Sequence, residues 1–328
     1  MIQNNSKSIF TSLFWIVVVA SLFISYLLLS PGNGTIHIGL NDWTGYDPLR
    51  IAEHKGFFLK HGVNVKVDRF KSAEDEMQAM REGRLQGAGF TLDEAVNLHQ
   101  SGYPLKAVLV VDFSMGGDMI IGQESIERID QIKGKRIGFE GTLVGEFLLH
   151  RALRNNLIKS SDIELVQVKG EDWISAFSNK KIDALVCYNP DATTLINHNK
   201  ANLLFSSKDI PYEIIDVLVF EEGFYNKNKK DVINIAKAWF DAVELDVDDA
   251  AKIVAAEKNI TVEEYKRGLT QLIAPGLQQN KKIFKPESKS NIYKYSQVII
   301  DFMLDRGLIN NRVDTDSFFS NEVVEGIK

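Results

Sequence analysis

The chain of 328 residues is poor in cysteine, proline and positive charge, and each shortage removes a class of protein. A single cysteine, Cys187, excludes an internal disulfide framework and any multi-cysteine zinc site. Seven prolines and 23 glycines exclude a collagenous or broadly disordered chain. Asp and Glu number 44 against 38 Lys and Arg, giving a formal charge of −6. A nucleic-acid binder would carry a basic stripe, so nucleic acid is not an expected partner. Catalytic signatures are missing as well. There is no G-x-S-x-G elbow, no G-x-x-x-x-G-K-[ST] phosphate loop and no H-E-x-x-H pair. The six histidines are scattered, so neither a metal site nor a cofactor is expected. Gly138, Gly141 and Gly145 do not have dinucleotide-loop spacing. Cys187 closes an apolar strand run, where a buried, inert thiol is the default. The expectation is a protein that is not an enzyme.

Long uncharged runs are also rare, with one exception. From Ile9 to Leu29 no residue is charged, and at about 1.5 Å per helical residue this run covers the ~30 Å core of a bilayer. A cleaved signal peptide is the alternative, but its apolar core is usually about 7–15 residues, and Leu29-Ser30-Pro31-Gly32 is a poor cleavage site. No cysteine near position 30 offers a lipid anchor. Lys7 precedes the run, and no Lys or Arg follows it until Arg50. The positive-inside rule therefore puts residues 1–8 in the cytoplasm, a transmembrane helix at 9–29, a tether at 30–34 and the rest outside the membrane.

Beyond the tether, period-two apolar segments alternate with amphipathic ones. Strands are predicted at Thr35–Leu40, Val63–Phe70, Gln86–Phe90, Leu105–Asp112, Met119–Gly122, Arg136–Glu140, Glu164–Val168, Ala184–Cys187 and Ile214–Phe220. Helices are predicted at Pro48–Phe58, after the Ser72 cap, and at Leu92–Gln100, Val144–Asn155, Trp173–Ser178 and Ala192–His198. After Phe224 only helices remain, one opened by the capping box Thr261-Val-Glu-Glu264. This order predicts an α/β protein with parallel-sheet layers in two lobes. Lobe one takes residues 35–113 and 220–328, with the C-terminal helices packing on it, and lobe two takes 114–219. Ligands of such sheets bind at strand carboxyl ends, in the crevice between lobes.

Four loops at those ends carry the candidate chemistry. Asn41-Asp42-Trp43-Thr44-Gly45-Tyr46-Asp47 combines aromatic faces with carboxylates, and a core-covering role for the two rings weighs equally. Asp112-Phe113-Ser114-Met115-Gly116-Gly117-Asp118 follows the longest apolar strand, and a plain turn also explains its glycines. Glu140-Gly141-Thr142 opens a helix whose free N–H groups suit an anion, or Thr142 is simply its cap. Tyr188-Asn189-Pro190-Asp191 ends another strand.

These residues resemble a known family. Trp43-x-Gly45, Ala52-Glu53-x-x-Gly56-Phe57-Phe58 and Gly62-x-x-Val65 look like the opening of nitrate/sulfonate/taurine-type substrate-binding proteins of ABC transporters. That group includes binders of thiamine-pyrimidine precursors and is similar to thiamine pyrimidine synthases. The likeness continues through Asp112-x-Ser114-x-Gly116-Gly117-Asp118, Ile132-x-Gly134-Lys135-Arg136-Ile137-Gly138, Gly141-Thr142, Ile182-Asp183-Ala184-Leu185, Asn189-Pro190, Ser206–Pro211 and Trp239-Phe240-x-Ala242. The resemblance implies a two-lobed periplasmic-binding-protein fold closing on a small molecule by hinge motion. It implies ligand contacts at Trp43, Tyr46, Thr91, Ser114, Asp118, Thr142 and Tyr188, with a hinge at Asp112, Phe113 and Asp216. It also implies an ABC permease and ATPase as partners of a monomer at the bacterial inner membrane, its body in the periplasm or otherwise outside. The synthases' cysteine-rich stretch is absent, which argues against their chemistry.

The candidate loops hold Asp42, Asp47, Asp93, Asp112, Asp118, Glu140 and Asp191 and no Arg or Lys. An anion in that company meets a few kcal/mol of repulsion per close carboxylate at intermediate dielectric. The expected ligand is therefore neutral, zwitterionic or cationic. A sensory or accessory receptor and a pyrimidine-precursor enzyme remain as alternative functions.

Overall fold

A computed structural model describes residues 34–189 and 191–328. The expected tail, the membrane span at 9–29 and most of the tether lie outside the described residues. Among the described residues, no helix is long and apolar enough to cross a membrane.

Two sheets carry the fold. The first runs in the order β11-β4-β10-β3-β1-β2 and is built from β1 (Ile36–Leu40), β2 (Val65–Arg69), β3 (Gly87–Thr91), β4 (Leu105–Ser114), β10 (Ile215–Glu221) and β11 (Leu272–Ile273). The second, β7-β6-β8-β5-β9, is built from β5 (Asp118–Gly122), β6 (Arg136–Phe139), β7 (Glu164–Gln167), β8 (Ala184–Tyr188) and β9 (Asn202–Ser206). The purely parallel expectation is corrected. β1, β2 and β3 are parallel, but β10 runs antiparallel to both β3 and β4, and β5 runs antiparallel to β8 and β9. The reason is that the chain crosses between sheets as extended strand, so a strand entering one sheet arrives against its neighbours. β10 belongs to the first sheet along its whole length, so the return falls before Ile215, not at residue 220 as expected.

Helices follow the sequence pattern closely where caps are clear. Ser72 accepts from Asp75 N, and Thr142 accepts from Gly145 N, each at a helix start. The predicted helix at 48–58 is shorter. It runs as α1 (Asp47–His54) and breaks at Gly56, whose φ of 70° is left-handed, before a short turn at Phe57–Lys60. Helix α2 (Leu92–Gln100) leaves β3, and α3 (Leu143–Asn155) covers the second sheet. The C-terminal helices include α4 (Lys229–Val243), α5 (Val247–Lys258), α6 (Val262–Leu269) and α7 (Ile292–Asp305).

As expected, they pack on the first lobe: α4 lies on α1, and α7 on α2. Helix α7 also reaches the second lobe, where Phe302 meets Phe147 edge-on at 5.2 Å and Arg306 pairs with Glu146. Trp239 of α4 is fully buried in the first lobe's core, and Trp173 in the second's. Cys187 is buried there too, and burial pushes its thiol well up, away from the reactive thiolate.

Candidate functional site

The strand carboxyl ends of both sheets open onto one cleft of about 1630 Å³. β1 ends at Leu40, and the loop after it is held by its own side chains. Asn41 Oδ1 accepts the Trp43 backbone N–H at 2.9 Å. Trp43 then reaches across to donate its indole N–H to Asp112 Oδ2 at 3.0 Å. The approach is so close that a Cβ on Gly45 would sit 1.7 Å from that same oxygen, so the loop requires glycine there. Tyr46 is buried, and its hydroxyl donates to Asp216 Oδ1. Asp112 and Asp216 face each other across β4 and β10.

The remaining wall comes from α2 and the second sheet. Thr91 ends β3 and caps α2, its backbone N–H donating to Glu94 Oε2 at 3.1 Å. Asp118 opens β5 opposite Tyr188 in β8, and the Tyr188 ring meets Trp173 edge-on at 5.0 Å. Thr142 caps α3 at the cleft edge. Across the opening, the Asn189 amide donates to the Gln271 side-chain oxygen, linking the two lobes.

Of the residues predicted from the sequence, Trp43, Tyr46, Thr91, Asp118, Thr142 and Tyr188 all line the cleft. Ser114 does not. It is fully buried in the crossing segment, 2.8 Å from the Ser207 hydroxyl. Asp216, expected only in the hinge, lines the cleft as well. Phe113 is wedged edge-on against Tyr212 and Tyr295 at 5.2 and 5.6 Å.

The electrostatics are lopsided. Glu94, Asp118 and Asp216 line the cleft with only 4, 8 and 2% of their surface exposed, and Asp93 and Asp112 are buried close by. Burial raises all five. Asp93 and Asp118 are pushed up to about 6, Asp112 to about 7 and Glu94 to about 8, with repulsion from Asp93 and Asp118 adding to the effect on Glu94. Asp216 is raised well above the ordinary range by burial and then by Asp112. Among the described residues, no ion pair joins any of these five to Lys, Arg or His.

The sequence reading missed three participants. Glu94 sits at the third position of a capping box, a pattern that signals only a helix start. Arg50 and Lys258 lie inside helices, outside the loops searched, yet both line the cleft. The expectation of no cation there is corrected, but these two are already committed. Arg50 lies 3.0 Å from Asp47 and 2.6 Å from Glu257, and Lys258 lies 2.9 Å from Asp47. Asp47, expected among the site acids, is fully buried in that ion-paired cluster.

Known proteins share this architecture. A Brucella abortus protein described as a binding protein is 31% identical over 168 residues, 51% of this chain and 51% of its own length. The chain thus matches about half the length of that relative. The taurine-binding periplasmic protein of Escherichia coli is 21% identical, over 75% of this chain and 78% of its own. The structure of the alkanesulfonate-binding protein SsuA from Xanthomonas axonopodis pv. citri, bound to MOPS, superposes with a TM-score of 0.71 at 16% identity, covering 88% of this chain and 98% of that one. The fold is that of the two-lobed binding proteins. The model of the NMT1-like family matches residues 30–258, and the chain belongs to that family.

Proposed function

We propose that this protein is an extracytoplasmic solute receptor that closes its lobes on a small polar ligand and delivers it to an ABC permease and ATPase. One observation carries the reading: loops from both sheets place Trp43, Tyr46 and Thr91 opposite Asp118, Thr142 and Tyr188 across a single cleft. Its volume of about 1630 Å³ exceeds the ~300–1,000 Å³ of a formed ligand pocket, which suits lobes standing open. The chain passes between sheets at Ser114–Asp118 and again at Ser206–Ile215, and such extended segments absorb rotation without disturbing either core. Asp112, Phe113 and Asp216 flank those passes and serve as the hinge.

The ligand is neutral, zwitterionic or cationic, because the cleft's deepest charged groups are carboxyls. The run Ile9–Leu29 tethers a monomeric receptor to the outer face of the cytoplasmic membrane. That anchor also favours a second reading, in which the protein reports occupancy to a membrane partner without handing over its ligand. Calorimetric titration of the full-length protein with taurine, alkylsulfonates, aminopyrimidines and polyamines tests the binding role. A saturable heat accompanied by a fall in radius of gyration is expected. Tight nitrate or sulfate binding contradicts the ligand class, and an unchanged shape at saturation contradicts closure.

A further inference from the structure

Resting on the receptor reading, we infer that the ligand is a small organic cation whose protonated nitrogen is held between Glu94 and Asp216 of lobe one and Asp118 of lobe two. The argument starts from where positive charge is missing. Arg50 and Lys258 are held by the fully buried Asp47, and Arg69 by Glu53 and Glu257 at 2.8 and 2.6 Å. Lys71, Lys169 and Arg267 also line the cleft but stand exposed at its rim. Among the described residues, the charged groups of the deep wall are carboxyls, and Asp112, fully buried, keeps Oδ1 without any hydrogen-bond partner. Burying several acids without a counter-charge is costly unless something supplies one.

A bare metal ion is a poor fit. Among the described residues, no group of three or more His, Cys, Asp or Glu could hold one. The same space is also lined by the rings of Trp43, Tyr46, Trp173, Tyr188 and Tyr265. Ring faces attract an organic ammonium and pack its hydrocarbon part, which a hydrated ion lacks. Because the acids come from both lobes, ionising them in an empty closed cleft would press like charges together. A cation between them removes that repulsion, so occupancy and closure are one event.

The cation also displaces protons. Asp118 is held up to about 6 by burial and by Asp93, and Glu94 up to about 8 by burial, Asp93 and Asp118, with Tyr46 and Tyr188 the neighbouring hydroxyls. An ammonium stabilises their ionised forms, so binding at neutral pH releases protons to solvent.

The test is titration of the full-length protein with putrescine, agmatine and tetramethylammonium against taurine, ethanesulfonate and nitrate. The variants are Glu94→Gln and Asp118→Asn. Saturable binding of an organic cation is expected, weakened about tenfold or more in each variant, as for loss of a charge-assisted hydrogen bond. The empty variants should melt no lower than the parent, which separates lost binding from lost folding. Preferential binding of a sulfonate or nitrate, unweakened by the variants, overturns the cation and leaves the receptor standing. Failure of every probe, cationic or anionic, to bind overturns both.

Discussion

Two buried acids on the first lobe, Asp47 and Asp216, have opposite surroundings. Asp47 is fully buried and ringed by cations, with Arg50 at 3.0 Å and Lys258 at 2.9 Å. Asp216 is 2% exposed and faces Tyr46, Asp112 and the open cleft. Burial raises both carboxyls, but the cations pull Asp47 back down while Asp112, Asp118 and Glu94 push Asp216 further up. The first arrangement ties α1 to α5 and carries its own counter-charges. The second lacks its counter-charge. On the proposed reading, the difference separates acids that hold the fold together from acids set aside for a ligand.

Breaking the complete cluster should cost most. Arg50→Met leaves Asp47 short of a partner and Glu257 with Arg69 alone, and a loss of about 3–5 kcal/mol in denaturant unfolding is expected for a broken buried pair. A loss below about 1 kcal/mol would mean that Lys258 alone suffices. Gly45→Ala forces a Cβ into Asp112 Oδ2, so the Trp43 loop must move, at a cost of about 1–3 kcal/mol. Trp43 fluorescence should change with it. A spectrum and stability like the parent's would refute the close approach.

The incomplete cluster should respond in the other direction. Its acids have folded values above their unfolded ones, so their contribution to stability is fully present below about pH 4 and lost as pH rises through about 6 to 8. From this cluster, the empty protein should melt several degrees higher at pH 5 than at pH 8, and Glu94→Gln should narrow the gap. A melting temperature that rises over that range and is indifferent to Glu94→Gln would contradict the assignment. The smallest effect is expected from Asp216→Asn, which keeps the hydrogen bond to Tyr46 without a titrating group. A change within about 1 kcal/mol, of either sign, contrasts with Arg50→Met.

Much of this was legible in the sequence because it is local. Helix α7 begins and ends where its apolar periodicity does, at Ile292 and Asp305. Six of the seven predicted contact residues reached the cleft because loops at strand ends must meet there. Three features depended on information that spacing does not carry. Strand direction was misread because alternation of strands and helices does not reveal a crossing strand such as β10. β9 (Asn202–Ser206) escaped because its pattern is half exposed, with Leu203 out to solvent. Arg50 and Lys258 escaped because the Lys258–Asp47 and Arg50–Glu257 pairs each span more than two hundred residues and are visible only once α5 folds back on α1.

The central claim concerns the missing charge, and proton linkage tests it most directly. Titrating the full-length protein with an organic cation at pH 7, in two buffers of different ionisation enthalpy, counts protons exchanged on binding. The account predicts net release, because an ammonium ionises Glu94, held up to about 8, together with Asp216, raised well above the ordinary carboxylate range. Binding with no proton exchange, or with uptake, would contradict it.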